Sequence, residues 1–253
     1  MFYFAQEAII PMRAEAAESA EMVSQLVFGE FCEVLEDQGS WWRVRLLVDG
    51  YEGWVNPRML WPVGSTFEPG WKQRRFVLGG NLILADGSSL RLPIGTEIPH
   101  TGSEDSLSLG EKNWRYAPDL QLLEPQAPEE LITLAGHYLN IPYVWGGRSG
   151  FGIDCSGFTQ RLFAMCGMAI PRDSSKQALE GEKVEIGSQK AGDLAFFSKN
   201  PGGSVSHVGL LASESEIIHA SGRVKRDPFC PEGIRSRDHD TLTHYLISIR
   251  RWF

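Results

Sequence analysis

Positive charge and long apolar runs are both scarce in this chain of 253 residues. Its 24 Lys and Arg side chains are outnumbered by 32 Asp and Glu side chains, for a net charge of −8. Nucleic-acid binding depends on basic patches that pair with phosphates, so we expect no nucleic-acid partner. No apolar run approaches the ~20 residues that a membrane-spanning helix needs, so we expect no membrane association.

The start of the chain, which reads MFYFAQE, lacks a basic segment followed by a long apolar one. Such a pair of segments is typical of a secretory signal. We therefore expect a cytoplasmic protein. A protein whose signal had been removed would begin in the same way, so an exported protein is the alternative.

Cysteine is rare, and the cysteines that are present are widely scattered: Cys32, Cys155, Cys166 and Cys230. Their spacing includes no close pair of the kind that zinc sites or disulfide frameworks use. The sequence therefore predicts neither a metal ion nor another cofactor. Cys166, flanked by Met165 and Met168, is expected to be a small buried apolar side chain.

Short apolar runs broken by glycine fill the first half of the chain and predict small β-barrels. Residues 41–46 and 51–55 read as strands, and Asp49-Gly50 between them is a strong hairpin signal. The pattern repeats more loosely from about residue 65 onward. We predict one SH3-like barrel over residues 1–63, a second over 64–125 and, after a proline-marked linker, a third domain over 126–253.

The third domain combines helical and strand-like segments. The sequence predicts three helices in this domain. They lie over residues 129–139, from Cys155 to about residue 165, and near residues 174–179. Strand-like runs then occupy residues 193–197, 207–211, 216–220 and 246–250. Helices followed by strands indicate an α+β domain with helices packed on an antiparallel sheet.

Cys155 lies where an apolar segment and a glycine turn lead into a helix. Residues 143–147 read YVWGG and residues 152–157 read GIDCSG, which predicts a short strand, a turn and a helix that begins at the cysteine. A helix N-terminus carries partial positive charge, which stabilises a thiolate and lowers the thiol pKa. Cys155 is therefore a candidate nucleophile, although a cysteine at a helix start is more often simply packed.

Two of the six histidines lie in strand-like runs of the same domain. His207 begins the run HVGLL, and His219 follows EII after a short polar connection, so the two runs should form adjacent antiparallel strands. That pairing can bring both imidazoles to one face of the sheet. In this arrangement Cys155 attacks, His207 accepts the thiol proton and His219 orients His207. On the residues alone, a structural role stays open for each histidine.

Five motifs occur in an order that resembles the NlpC/P60 cysteine peptidases: PYVWGG at 142–147, DCSG at 154–157, GDL at 192–194, HVG at 207–209 and IHA at 218–220. The resemblance covers about residues 126–253. It implies a papain-like α+β fold with Cys155, His207 and His219 as the catalytic residues. The two preceding blocks resemble bacterial SH3 (SH3b) barrels, and the whole layout is similar to the γ-D-glutamyl-L-diamino acid endopeptidases of the dipeptidyl-peptidase VI group.

For the substrate, the resemblance implies a murein peptide with a free N-terminal L-alanine, cut between γ-D-glutamate and a diamino acid in cell-wall peptide recycling. A buried ammonium group needs carboxylates and hydroxyls around it. The resemblance assigns substrate binding to Asp154, Ser174, Glu30 and Tyr51. Asp154 could instead cap its helix, Glu30 could be a turn acid and Tyr51 could be a packing residue. We expect a monomer that needs no cofactor.

Three other functions stay open at this point. The first is an exported endopeptidase that trims the peptide stems of intact peptidoglycan. The second is a wall-binding module with an inactive peptidase, which the presence of Cys155, His207 and His219 disfavours. The third is thiol acyl transfer on the same fold, which would require an apolar acyl groove.

Overall fold

The computed structural model describes residues 1–63, 74–99, 103, 105–109 and 111–253. These residues divide into two compact units, one made of Met1–Pro125 with Trp145–Phe151 and the other of Gln126–Val144 with Gly152–Phe253. The start of the predicted second barrel, residues 64–73, lies outside the described residues. The three-domain division stays a prediction.

The first β block of the first unit contains seven strands: β1 (Phe2–Ala5), β2 (Ile9–Arg13), β3 (Met22–Val27), β4 (Phe31–Asp37), β5 (Trp42–Leu46), β6 (Glu52–Val55) and β7 (Leu60–Pro62). They form one antiparallel sheet in the order β3-β2-β6-β5-β4-β1-β7. A short 3-10 helix, Pro57–Met59, precedes β7. The hairpin predicted around Asp49-Gly50 is confirmed, because it connects the paired strands β5 and β6.

The second β block contains shorter strands: β8 (Arg74–Gly79), β9 (Asn81–Ile83), β10 (Ser89–Arg91), β11 (Glu97–Pro99), β12 (Ser106–Leu109), β13 (Lys112–Tyr116) and β14 (Gln121–Leu123). They form a four-stranded sheet, β10-β9-β13-β12, and a three-stranded sheet, β11-β8-β14. The two-residue strand β15 (Arg148–Ser149) also belongs to the first unit.

One hydrophobic core joins the two β blocks. Phe4 and Phe28 come from the first block and contact Trp114 of the second edge to face, with ring centroids 5.9 and 5.2 Å apart. Buried aromatic side chains contribute large apolar areas to a core, and edge-to-face pairs add to that contribution. The shared core explains why both blocks fall in a single compact unit.

The second unit contains a 3-10 helix, Pro128–Glu130, three α-helices and eight strands: α1 (Leu131–His137), β16 (Gly152–Ile153), α2 (Cys155–Met165), α3 (Ser174–Gln177), β17 (Glu182–Val184), β18 (Leu194–Ser198), β19 (His207–Leu211), β20 (Glu216–Ser221), β21 (Arg223–Cys230), β22 (Gly233–Arg235) and β23 (Leu242–Arg251). The large sheet is antiparallel, with the order β17-β23-β18-β19-β20-β21-β22. Strand β22 also pairs with β23, which closes six of these strands into a barrel. The predicted α+β class is confirmed.

Helix α2 is the central helix of this unit and is buried along nearly its whole length. It begins at Cys155, as predicted, and its apolar residues Phe158, Leu162 and Phe163 are fully buried. Burying each such side chain contributes about 1.5–3 kcal/mol. At 11 residues, α2 is the longest of the described helices. None of the described helices is long and apolar enough to cross a membrane.

The short strand predicted over residues 143–147 is wrong. Tyr143 makes only an isolated bridge to Ile153, Pro142 makes one to Arg223, and the chain turns at residues 145–146. A proline has no backbone N–H to donate, so the segment cannot extend a regular ladder from its start. Strands β21 and β22 are missing from the sequence-based prediction, since charged residues and Pro228 make β21 a poor strand candidate.

Gly233 allows β22 and β23 to approach each other closely. Its φ is 144°, and a Cβ atom at this position would overlap the carbonyl oxygen of His244. We therefore predict that Gly233→Ala lowers the free energy of unfolding by at least about 2 kcal/mol, through backbone strain and steric overlap. Urea unfolding followed by circular dichroism measures the change.

The matched control for this prediction is Gly136→Ala in α1, where a Cβ atom would meet no neighbouring atom within 4 Å. Replacing a helical glycine by alanine should stabilise the protein by about 1 kcal/mol or less. Equal stability of the Gly233→Ala variant and the wild-type protein would contradict the assigned role of Gly233.

Candidate active site

The candidate active site begins at the N-terminus of α2, where Asp154 caps the helix that carries Cys155. The carboxylate Oδ1 of Asp154 accepts a hydrogen bond of 2.7 Å from the backbone N–H of Gly157. The first N–H groups of a helix have no partner within the helix, and an aspartate at the N-cap satisfies one of them. The cap fixes the first helical turn, and with it the position of the Cys155 side chain.

A buried ion pair holds Asp154 in place. The guanidinium of Arg172 donates to both carboxylate oxygens of Asp154 at 3.0 and 2.5 Å, and to the hydroxyl of Ser156 at 2.9 Å. Asp154 and Arg172 are 6 % and 4 % exposed. Two-point pairing compensates for the loss of hydration of both charges, whereas removing one partner of such a pair typically costs about 3–5 kcal/mol.

Gln177 on α3 also supports the first turn of α2. Its amide nitrogen donates to the carbonyl oxygens of Ser156 and Pro171 at 3.1 and 2.7 Å, and its amide oxygen accepts from the Thr159 hydroxyl at 2.9 Å. Gln177 is fully buried. Sequence reasoning missed this residue, because glutamine in a short helix gives no functional signal until its partners are known.

The thiol of Cys155 is buried, and its environment favours the protonated form. Burial, and then the charge of Asp154, raises the pKa of Cys155 to about 12, although hydrogen bonds from the Val208 and Ser156 backbones and the charge of Arg172 oppose this shift. The backbone of Ser156, in the first turn of α2, lowers the pKa of Cys155 in the predicted direction, but burial outweighs it and the net shift is upward. Cys155 therefore needs a base to remove its proton. The hydrogen bond between its sulfur and the backbone of Val208 places the sulfur beside the residue that follows His207 on β19.

The predicted pairing of the two histidine strands is confirmed. Gly209 of β19 pairs directly with His219 of β20, so His207 is the diagonal neighbour of His219 on the same face. A Cβ atom on residue 209 would lie 2.9 Å from the His219 Cβ, so the glycine gives His219 the space it needs. The imidazoles meet through a hydrogen bond of 2.9 Å between His207 Nε2 and His219 Nδ1.

Asp227 on β21 extends this pair into a chain of three side chains. Its Oδ2 lies 2.9 Å from His219 Nε2, and it also pairs with Lys225 Nζ at 3.2 Å. Burial raises the pKa of Asp227, but hydrogen bonds from His219, the Arg237 backbone N–H and Lys225 outweigh it and lower the pKa to about 2. Asp227 is therefore an ionised carboxylate. Sequence reasoning missed Asp227, because its place beside His219 follows from the register of β20 and β21, in which the two residues are diagonal neighbours.

The chain of hydrogen bonds fixes the tautomer of each imidazole. An ionised Asp227 can only accept, so His219 carries its proton on Nε2 and presents an unprotonated Nδ1. His207 Nε2 must then donate to His219, which leaves the lone pair of His207 on Nδ1. Burial, and then the charges of His219 and His244, lowers the pKa of His207 well below its ordinary value, so the ring is a neutral base at neutral pH.

Tyr143 lies close to the cysteine. Burial raises the pKa of Tyr143, and the charges of Cys155 and Asp154 add to this effect. The phenol is therefore protonated and available as a hydrogen-bond donor. Tyr143 belongs to the PYVWGG motif, but no role was assigned to it from the sequence, since the predicted strand gave its side chain no direction.

The predicted substrate-binding residues fall in both units. Asp154 caps α2, as described above, and Ser174 is the half-buried first residue of α3, which follows Arg172 closely in the chain. Glu30 and Tyr51 belong to the first unit. Their substrate-binding roles stay predictions.

Glu30 lies in a buried cluster of charges within the first unit. Its carboxylate accepts from the guanidinium of Arg148 at 3.0 and 3.3 Å and from the backbone N–H of Val27 at 2.9 Å. Arg148 also lies 3.8 Å from a carboxylate oxygen of Asp49, whose other oxygen accepts from the Tyr51 backbone N–H at 3.0 Å. Glu30 therefore pairs with Arg148, and the backbone of Tyr51 bonds to Asp49, the second carboxylate beside that arginine.

The side chains of the described residues form no group of three or more His, Cys, Asp or Glu that could hold a metal ion. The arrangement of Cys155, His207, His219 and Asp227 instead provides a thiol, a base with a defined tautomer and an ionised group that orients the base. This combination can perform nucleophilic acyl transfer.

Comparison with known proteins identifies two families of domains along the chain. Residues 140–251 match the model of the NlpC/P60 family, and residues 12–60 match that of the bacterial dipeptidyl-peptidase Sh3 domain. The chain is 32 % identical over 217 residues to a gamma-D-glutamyl-L-lysine dipeptidyl-peptidase of Bacillus subtilis, covering 78 % of this chain and 71 % of the relative. A protein of the same name from Bacillus cereus is 31 % identical over 233 residues, covering 79 % and 67 %.

Solved structures resemble the whole chain. The crystal structure of an NlpC/P60 family protein from Bacillus cereus matches with a TM-score of 0.80 at 23 % identity, and 99 % of each chain is covered. An NlpC/P60 endopeptidase from Photobacterium damselae matches with a TM-score of 0.73 at 17 % identity, covering 98 % of this chain and 70 % of that one. At these identities the structural matches establish the fold.

The hydrogen-bond chain that ends at His207 makes Asp227 testable through the reactivity of the thiol. We predict that Asp227→Ala slows alkylation of Cys155 by iodoacetamide at neutral pH at least about tenfold, because a misoriented base loses much of the ~10²–10⁴-fold that positioned proton transfer contributes. Asp227→Asn should retain more of the rate, since its amide oxygen can still accept from His219. Peptide mass spectrometry assigns the modification to Cys155.

Asp238→Ala provides the matched control, because Asp238 also pairs with Lys225 at 3.2 Å but is exposed and does not contact His219 through any described hydrogen bond. This variant should react at the wild-type rate. Alkylation of the Asp227→Ala variant at the wild-type rate would remove Asp227 from the orientation of His207.

Proposed function

Because this chain belongs to the NlpC/P60 family of peptidases, we propose that it is a cysteine peptidase that cuts the γ-D-glutamyl–diamino acid bond of murein peptides with a free N-terminal L-alanine. The observation that carries the proposal is the hydrogen-bond chain from Asp227 through His219 to His207, because it presents an unprotonated Nδ1 next to the strand position that contacts the Cys155 thiol.

The chemistry begins with proton transfer from the protonated thiol. His207 Nδ1 takes the proton of Cys155, and the sulfur attacks the carbonyl carbon of the γ-glutamyl group. Asp227 and His219 stabilise the imidazolium that forms, as the third residue of a catalytic triad does. His207 then returns the proton to the departing amine, and water hydrolyses the thioester to regenerate the thiol.

The negative charge that develops on the substrate oxygen needs donors that are already in place. The backbone N–H of Cys155 is at the first helical position of α2, where N–H groups have no partner within the helix. The protonated phenol of Tyr143 supplies a side-chain donor close to Cys155. We propose these two groups as the oxyanion-stabilising pair.

Recognition of a free amine is supported by the charges in the first unit and by the relatives' activity. Glu30, Asp49 and Arg148 together carry two negative charges and one positive charge, and all three are largely buried. Buried carboxylates suit an ammonium group, which needs charged partners when it loses water. The relatives are named dipeptidyl-peptidases, and release of a dipeptide is defined by the distance from a free N-terminus.

Asp154 fits this proposal in a secondary role. Its carboxylate is already neutralised by Arg172 and occupied by the helix cap, so it contributes little net charge to a bound ammonium. We propose that Asp154 and the hydroxyl of Ser174 orient the substrate amine. The cytoplasmic location and the monomeric state expected from the sequence stay predictions.

The experiment compares four substrates by mass spectrometry of the products. They are L-Ala-γ-D-Glu-meso-diaminopimelate, the corresponding lysine peptide, the N-acetylated form of whichever of these two peptides is cleaved faster, and purified peptidoglycan. We expect cleavage of a free tripeptide after γ-D-glutamate. Acetylation should lower kcat/KM at least about 100-fold, because it removes the positive charge that the buried carboxylates would attract. Equal rates on free and acetylated peptides would refute amine recognition.

Two variants separate catalysis from folding in this experiment. Cys155→Ala should abolish hydrolysis while its circular dichroism spectrum and melting temperature stay close to those of the wild-type protein. Cys166→Ala removes the cysteine at the other end of α2 and should leave the rate unchanged. Rapid release of stem peptides from intact peptidoglycan, with little activity on free tripeptides, would favour the wall-trimming alternative.

A further inference from the structure

A third imidazole, that of His244 on β23, packs directly on the ring of His207. The two ring centroids are 4.2 Å apart and the planes are inclined by 29°, which is a stacked arrangement. The same ring meets His219 edge to face, with centroids 5.8 Å apart at 86°. His244 therefore contacts both imidazoles of the hydrogen-bond chain but forms no link of the chain itself.

The neighbouring Thr243 fixes the ring of His244. The Thr243 hydroxyl lies 2.9 Å from His244 Nδ1 and donates its proton to the carbonyl oxygen of Ile234 at 3.3 Å. These two contacts restrain one edge of the His244 ring. The ring of His244 is therefore held by residues of β22 and β23, on one face of His207.

The imidazole of His244 is uncharged at neutral pH. Burial, and then the charge of His219, lowers the pKa of His244 to about 4; Lys225 acts in the same direction and Asp227 opposes it. A protonated ring at this distance would repel the imidazolium that forms on His207. A neutral aromatic face instead favours a cation placed over it.

One hydrogen bond cannot fix the plane of the His207 ring. The bond from His207 Nε2 to His219 holds one atom, and the ring can still pivot around the line that joins the two nitrogens. Such a pivot would move Nδ1, the second nitrogen of the ring, away from its target. A flat partner stacked on one face removes this freedom, in the same way that packing locks the rotamers of other functional groups.

We propose that His244 is a positioning residue that fixes the ring plane of His207 by stacking, and that it acts through this contact and not through proton transfer. The inference rests on the proposed function, since His207 is the base only if Cys155 is the nucleophile. It assigns a role in the reaction to a residue that lies outside the hydrogen-bond chain.

Two variants of His244 separate the effect of its stacked ring from the effect of its hydrogen bond to Thr243. His244→Phe keeps a flat ring on His207 and loses the bond to Thr243, whereas His244→Gln keeps a polar group for Thr243 and loses the ring. If stacking is the essential property, His244→Gln should lower kcat about tenfold or more with little change in KM, while His244→Phe should stay within about threefold of the wild-type value. His239→Gln, an exposed histidine in the loop before β23, is the matched control.

Alkylation of Cys155 by iodoacetamide provides a readout that does not depend on the substrate. The thiol sulfur displaces iodide from the reagent and the thiol proton passes to His207, so the rate reports how well the base is oriented. We expect the same order of rates here: wild-type, then His244→Phe, then His244→Gln about tenfold slower. Circular dichroism and melting temperatures establish that each variant is folded.

The outcomes separate the two proposals. A wild-type protein that hydrolyses no murein peptide would contradict the proposed function, and the alkylation rates would still test the orientation of His207. A glutamine variant with wild-type kcat and alkylation rate would overturn the positioning role. A phenylalanine variant that loses as much activity as the glutamine variant would also overturn it, because the ring would then contribute nothing that the hydrogen bond does not.

Discussion

The site depends on one constraint, which is that the carboxylate of Asp227 stays ionised in a buried position. Its charge determines which nitrogen of His219 is protonated, and His219 in turn determines which nitrogen of His207 carries the lone pair. A basic group, Lys225, and a backbone N–H compensate that charge, which is why burial does not neutralise it. The direction of proton transfer at Cys155 is thereby set by a residue on β21, two strands along the sheet from β19, which carries His207.

A second buried charge serves the nucleophile in a different way. Asp154 caps the helix of Cys155 and is held in place by its ion pair with Arg172. Its charge raises the pKa of the Cys155 thiol, but by less than burial does. The consequence is a protonated thiol facing a neutral imidazole. In such a resting pair the sulfur is not ionised, and the thiolate nucleophile forms only when His207 takes the proton.

The local parts of this design can be read from the sequence. Glycines before the cysteine and an aspartate at the N-cap predict that a helix begins at Cys155, and the short connection between two β runs predicts that His207 and His219 are neighbours. Asp227 and His244 could not be predicted in the same way. Asp227 reaches His219 through the pairing of β20 with β21, a strand that the sequence does not predict. His244 comes from β23, whose pairing with β22 closes the barrel. The raised pKa of Cys155 could not be predicted from the neighbouring residues either, because its main cause is burial, which depends on the packing of the whole unit.

The protonation of the imidazole nitrogens is the most direct test of this account. Nitrogen-15 NMR of histidine-labelled protein, with two-bond couplings to the ring hydrogens, distinguishes a protonated from an unprotonated ring nitrogen. Near neutral pH the account predicts that His207 and His219 are both neutral, each protonated on Nε2 and unprotonated on Nδ1. A His207 ring that carries its proton on Nδ1, or an imidazolium at this pH, would contradict it.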